Sequence, residues 1–217
     1  MRKNIIETAL VLIIAVLAVK CSNIAPVSEI GWLLRPLILV IAAFLPTKIR
    51  HRRFADFGFD RRQIPKNLVV LAGTCIAVFP LAFCGLWVLT SFDIVLPLTS
   101  DLPSEQGWFR WLFYQFMYVA VAEEVFFRGY LQSNILRITQ AQMDRRPRLN
   151  QYISIVLSAV CFAFAHIIVQ GRLTAALTFL PGLVLGWLFI RTRSLLAPIL
   201  FHGLANIYYV LMVGLFE

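Results

Sequence analysis

The sequence predicts an all-α, polytopic transmembrane helix bundle of about seven spans, and three observations carry that expectation. Of its 217 residues 60% are hydrophobic and only 14% are charged, with a mean hydropathy of +0.80; a soluble domain carries about 25% charge. The apolar residues come in blocks about 20 residues long, the length a helix needs to cross a roughly 30 Å hydrocarbon core. Backbone polar groups must be satisfied inside each span, which leaves helices or a closed barrel, and no alternating ten-residue pattern supports a barrel.

The spans are expected at 5–25, 30–45, 68–90, 108–131, 153–169, 173–190 and 195–216. The first opens after Arg2 and Lys3 and superficially resembles a signal peptide, but it lacks an A-x-A site. Its "LAVKC" ending puts Lys20 where a lipobox needs a small residue, so it is read as a retained helix. After the second span, "PTKIRHRRFADFGFDRRQIPK" holds seven Lys/Arg against two Asp. This basic connection is long enough for an interfacial helix that dips Phe54, Phe57 and Phe59 into the headgroups, or for a solvated connector against phospholipid. The connection after the third span carries Asp93, Asp101 and Glu105 without Lys or Arg. Basic residues return after the fourth span (Arg137, Arg145, Arg146 and Arg148 against Asp144) and after the sixth (Arg191 and Arg193).

This alternation accounts for the net charge of +9. Cytoplasmic loops accumulate Lys and Arg, so 46–66, 132–152 and 191–194 are expected inside, with a cytoplasmic N-terminus and an external C-terminus. Nucleic-acid binding would want basic residues interleaved with exposed aromatics on one surface, and that pattern is missing. No period of 20–50 residues repeats and no soluble linker divides the chain, so 1–217 reads as a single membrane domain. Cys21, Cys75, Cys84 and Cys161 have no metal-ligand spacing and read as small apolar fillers. Gly182 and Gly186 form a G-x-x-x-G that would let two helix backbones approach, and Pro181 and Pro198 would start or bend their helices.

The fourth span contains "VAVAEEVFFRGYL". Glu124 and Arg128 are four apart and share a helix face, so they can neutralise each other, whereas Glu123 is turned about 100° away and has no partner on its own helix. An ionisable side chain at the centre of a membrane helix costs about 2.5–3.5 kcal/mol on insertion scales and normally faces a partner or a water-filled cavity. The partner must come from another span. His166, in "CFAFAHIIV", and His202, four residues before Asn206, are the histidines that lie within spans. Glu123, His166, His202 and Asn206 are therefore expected to share one polar site. It could be proton-translocating, metal-binding or hydrolytic, and its inventory matches peptide hydrolysis by an activated water. A carboxylate can take the water's proton, an imidazole can orient the water, and a second imidazole with a carboxamide can meet an oxyanion. There is no G-x-S-x-G, no H-E-x-x-H and no paired aspartate within the spans.

In order and spacing, Glu123-Glu124-x-x-x-Arg128, Phe162-x-x-x-His166 and His202-x-x-x-Asn206 resemble the three motifs of the CPBP intramembrane proteases, which include the type II CAAX prenyl endopeptidases. The surrounding "GLVLGWLFIRTRSLLAPILFHGLAN" and "FADFGFDRR" resemble that family too. The resemblance is strong over roughly 110–210, within a motif-bearing core of roughly 108–210, and weak over 50–70. It implies an intramembrane endopeptidase acting on a membrane-associated protein or peptide, with the lipid bilayer as its setting and a bacterial cytoplasmic membrane as its location. Carried over by position, Glu123 and His166 would activate water, His202 and Asn206 would form the oxyanion site, and Glu124 and Arg128 would support them. No cofactor is expected, the alternative being zinc at Glu123, His166 and His202. The rival class is a non-catalytic membrane protein such as a proton-coupled transporter, which would more often show paired half-repeats, or an immunity or scaffold protein.

One expectation concerns depth. At 1.5 Å per residue, Glu123, His202 and Asn206 come out roughly 10–16 Å from the cytoplasmic ends of their spans, and His166 about 20 Å. A tilt, or a fifth span that starts later than 153, would bring them level.

Overall fold

The computed structural model describes residues 2–24, 27–51, 58, 64–92, 107–143 and 146–216. Its helices are α1 (Arg2–Cys21), α2 (Gly31–Ile49), α3 (Ile64–Ser91), α4 (over 108–142), α5 (Pro147–Gln170), α6 (Phe179–Thr192, entered through a 3-10 turn at Leu173–Thr178) and α7 (Leu196–Phe216). Among the described residues, six helices are long and apolar enough to cross a membrane. The remaining helix, α4, is broken into alternating α and π segments, with π turns at Tyr114–Ala120 and Val125–Gln132. The chain is a multi-pass membrane protein built only from helices where it is described.

Two boundaries differ from expectation. The connection expected at 132–152 is mostly helix: α4 runs on to Gln142, and α5 begins at Pro147, whose fixed φ and missing N–H suit a first helical turn. Pro181 and Pro198 occupy first turns in the same way, each the third residue of its helix. The phenylalanines expected at the headgroups, Phe54, Phe57 and Phe59, lie outside the described residues.

The core forms around α4. Its residues from Glu124 to Gln132 are all buried, and Val125, Phe126, Phe127, Tyr130 and Leu131 pack with Ala15, Val16 and Val19 of α1, Leu39 and Ala43 of α2, and Phe162 and Ala165 of α5. A smaller cluster of Leu71, Leu185, Leu188, Ala197 and Phe201 fastens α3 to α6 and α7. Outward faces remain apolar, with Val69, Ile76 and Leu81 each more than 70% exposed, as expected of surfaces that meet lipid.

Hydrogen bonds set the helix directions. Arg50, at the end of α2, pairs with Glu7 near the start of α1 at 2.5 Å, so the two helices are antiparallel. Lys20 Nζ and Asn23 Nδ2 donate to Val169 O at 3.2 and 3.3 Å, tying the C-terminal end of α1 to that of α5. Gly171 closes α5 with φ +70°, its N–H bonding Ile167 O at 2.8 Å. The glycines at 182 and 186 do allow close approach to α5: a Cβ on Gly182 would come 3.2 Å from Ala159 Cβ, and one on Gly186 3.2 Å from Ile155.

Because α5 starts at Pro147, the expectation that it might begin later than 153 is overturned. The start of α7 is buried: Ser194 and Leu195 are 3% and 1% exposed, and Leu195 N–H donates to Gly58 O at 2.9 Å. Gly58 has φ +84°, and a Cβ there would come 2.9 Å from the Phe189 ring, so this point of contact needs glycine.

Candidate active site

Glu123 and Glu124 occupy the short α-helical turn Val121–Glu124 between the two π segments. A π turn bonds i to i+5, is rare, and is frequent at functional sites. Here it leaves carbonyls that take side-chain donors: Ser158 Oγ of α5 reaches Phe127 O at 3.1 Å, and Ser133 Oγ reaches Arg128 O at 3.2 Å.

Glu124 and Arg128 pair as the spacing predicts, Nη1 to Oε1 at 3.1 Å with both side chains fully buried. Arg128 also donates from Nη2 to Gly182 O at 3.3 Å and stacks on Phe162, with Cζ 4.6 Å from the ring centroid. The pair does more than neutralise itself. Glu124 Oε1 also lies 2.8 Å from His202 Nδ1, a link that the sequence reading missed. An ionised carboxylate only accepts, so His202 Nδ1 is the donor and its Nε2 points the other way.

On that other side stands Glu123. Its Oε2 lies 3.8 Å from His166 Nε2 and 3.9 Å from His202 Nε2, and it has no hydrogen-bond partner. His166 is aimed by its own helix: Nδ1 faces Phe162 O at 2.9 Å, and since a carbonyl only accepts, Nδ1 carries the proton and Nε2 keeps its lone pair toward Glu123. Phe162 therefore sits at the hub of the site. Its carbonyl orients His166, its ring lies 4.3 Å centroid to centroid from that imidazole, and its face supports Arg128. The gaps around Glu123 Oε2 are too long for direct hydrogen bonds and suit a bridging water.

Asn206 lies one turn beyond His202, as the i,i+4 spacing predicts. Its Nδ2 donates to Gln115 Oε1 at 2.8 Å. Gln115, in the first π segment, escaped the sequence reading; the available signal was a carboxamide inside an otherwise apolar span. Between them α7 and α4 approach so closely that a Cβ on Gly203 would come 2.4 Å from the Phe116 ring. Gly203→Ala is expected to lower stability by about 1–3 kcal/mol through overpacking, measured as the unfolding midpoint in detergent.

Glu123, His166, His202 and Asn206 thus converge on one cavity of about 490 Å³, walled by α1, α2, α4, α5 and α7. That volume falls within the range of small-ligand pockets, about 300–1,000 Å³. Arg35 of α2 also lines it and was not singled out from the sequence, although an arginine within a span is itself a signal.

Fold and site define the class first: a polytopic membrane protein whose buried carboxylates, imidazoles and carboxamide meet in a cavity between helices. Residues 105–208, just under half of the chain, match the family described as Type II CAAX prenyl endopeptidase Rce1-like, consistent with a CAAX-type membrane protease domain over that stretch. The match takes in all three motifs, from Glu123 to Asn206, but not the weaker resemblance at 50–70. No curated protein and no solved structure matches the chain.

Proposed function

We propose that the protein is an intramembrane endopeptidase that hydrolyses a peptide bond of a membrane-associated protein or peptide, using water activated by Glu123 and His166. The observation that carries this reading is the unpartnered Glu123 Oε2 facing two imidazole Nε2 atoms inside a cavity of the bundle. A water between them gives one hydrogen to the carboxylate and the other to His166 Nε2, leaving an oxygen lone pair for the substrate carbonyl carbon. As the oxygen attacks, its proton passes to Glu123, and the carbonyl oxygen becomes an oxyanion. His202, with Nδ1–H committed to Glu124, offers an N–H at Nε2 as the imidazolium, and the second N–H of Asn206 adds a neutral donor. Collapse of the tetrahedral intermediate breaks the C–N bond, and Glu123 returns its proton to the leaving nitrogen. The products are a carboxylate and an amine. Reconstitution with candidate membrane peptides and mass spectrometry of the products tests the reading; a protein that cleaves none of them and is indifferent to Glu123→Gln would sink it.

A zinc ion held by Glu123, His166 and His202 is the second reading, favoured by one observation: Glu124 supports His202 at Nδ1 as carboxylates support metal-bound histidines. Zinc would supply Lewis acidity and a more acidic bound water. Against it, among the described residues no three His, Cys, Asp or Glu side chains stand in metal-holding geometry, and Asn206 is not among the usual zinc ligands. Activity is expected to survive exhaustive chelation. Stoichiometric zinc by elemental analysis, with chelator inactivation reversed by added zinc, would recast the two histidines as ligands.

The basic connections support an orientation with the N-terminus in the cytoplasm and the C-terminus outside. A reporter fused after Glu217 is expected to read the external side. A cytoplasmic signal would remove one span from the count.

A further inference from the structure

Among the described residues Arg35 is the one Lys or Arg whose side chain lines the catalytic cavity, and the mechanism above does not use it. Its Nε is buried without a hydrogen-bond partner, and among the described residues no carboxylate lies within ion-pair distance of it. Glu123, the acidic side chain of the same cavity, is turned to the histidines. An arginine near a helix end can snorkel to water, but this one is held against the bundle. Gly31, one turn earlier, is buried, and a Cβ there would lie 2.8 Å from Ser22 O and 3.3 Å from Arg35 Nη2, so the guanidinium folds back over its own helix through space that glycine leaves.

The next residue fastens this part of α2 to the catalytic helix. Pro36 has no N–H, which frees the carbonyl of Trp32 four residues earlier. Tyr114 of the first π segment donates its hydroxyl to Trp32 O at 3.2 Å. Tyr114, Arg35 and Pro36 all line the cavity. This bond ties the helix that carries Arg35 to the helix that carries Glu123, and both side chains line one cavity.

We propose that Arg35 is the carboxylate anchor of the substrate cleft, pairing with a carboxylate at the C-terminal end of the peptide and so setting which bond reaches Glu123. The proposal rests on the peptidase reading of the site. A guanidinium presents parallel N–H donors that match a carboxylate bidentately, and such a pair is strongest where water is excluded. A cavity of about 490 Å³ has room for a short peptide end, not for a folded domain.

The test compares three membrane peptides of one sequence: a free C-terminal acid, the same chain amidated, and an amidated chain ending in Asp. Binding is measured on Glu123→Gln protein in nanodiscs and cleavage on the protein with Glu123 intact. The acid is expected to bind about 10- to 100-fold tighter than the amide, the yield of one charge-assisted contact. Arg35→Gln is expected to bring that ratio close to one, and Arg35→Lys to retain part of it. Each ratio is taken within one protein, so a poorly folded variant lowers both terms alike. An acid-to-amide ratio near one with Arg35 present, or a ratio that Arg35→Gln leaves unchanged, overturns the proposal. If the amidated Asp peptide binds like the free acid, the anchor accepts any terminal carboxylate; if it binds like the plain amide, the anchor reads the α-carboxylate. Arg35-dependent discrimination in binding without any cleavage would leave the anchor standing and remove the peptidase reading. Cleavage with no discrimination would do the reverse.

Discussion

Glu123→Gln is expected to lower kcat/KM by about 10²–10⁴, the usual contribution of a general base, while changing stability by about 1 kcal/mol or less. The amide keeps the size of the carboxylate and can still accept a hydrogen bond from water, but it cannot take the proton. Among the described residues Glu123 Oε2 has no partner at hydrogen-bond distance, and the two imidazoles stand 3.8 and 3.9 Å from it. The loss should therefore be confined to turnover, and peptide binding should persist. Activity and thermal unfolding in detergent, measured on the same preparation, separate the two. Full activity would remove the base assignment outright.

Glu124→Gln is expected to behave differently, lowering stability by about 3–5 kcal/mol as well as abolishing most activity. Arg128 is fully buried, and Glu124 is the carboxylate paired with it. Neutralising that carboxylate leaves a cation in a low-dielectric interior with Gly182 O and the Phe162 face as its remaining support. It also weakens the hydrogen bond that aims His202. These two consequences can be taken apart. A double variant, Glu124→Gln with Arg128→Met, removes the stranded charge and is expected to recover much of the stability, because replacing both members of a buried pair is far less costly than removing one. It should not recover activity, since the carboxylate under His202 is still missing. Wild-type stability in the single variant, or wild-type turnover in the double one, would contradict the arrangement described here.

The sequence alone determined the solvent in which the chain folds and the chemistry it concentrates there. Hydropathy and span length are properties of consecutive residues, so the helices could be counted without knowing how they pack. The i,i+4 spacings likewise survive folding, because they are set by the helix itself: Glu124 with Arg128 and His202 with Asn206 each keep to one side of their helices even where α4 loosens into π turns. Burial cost made the rest of the site legible. An unpartnered glutamate and two histidines in apolar spans need each other, and the cavity brings them together as that cost requires.

What only the tertiary structure decided is which ring nitrogen meets which carboxylate and which carbonyl takes which donor. The Glu124 to His202 bond joins residues 78 apart in the chain, and no local period encodes it. The same holds for Asn206 with Gln115, 91 apart, and for Tyr114 with the carbonyl that Pro36 releases. The bond from Leu195 N–H at the start of α7 to Gly58 O is another such contact between residues far apart in the chain. Hydropathy reports whether a residue prefers lipid or water. It does not report which neighbour supplies a hydrogen bond, because that choice is made when the helices pack and each buried donor and acceptor takes the partner within reach.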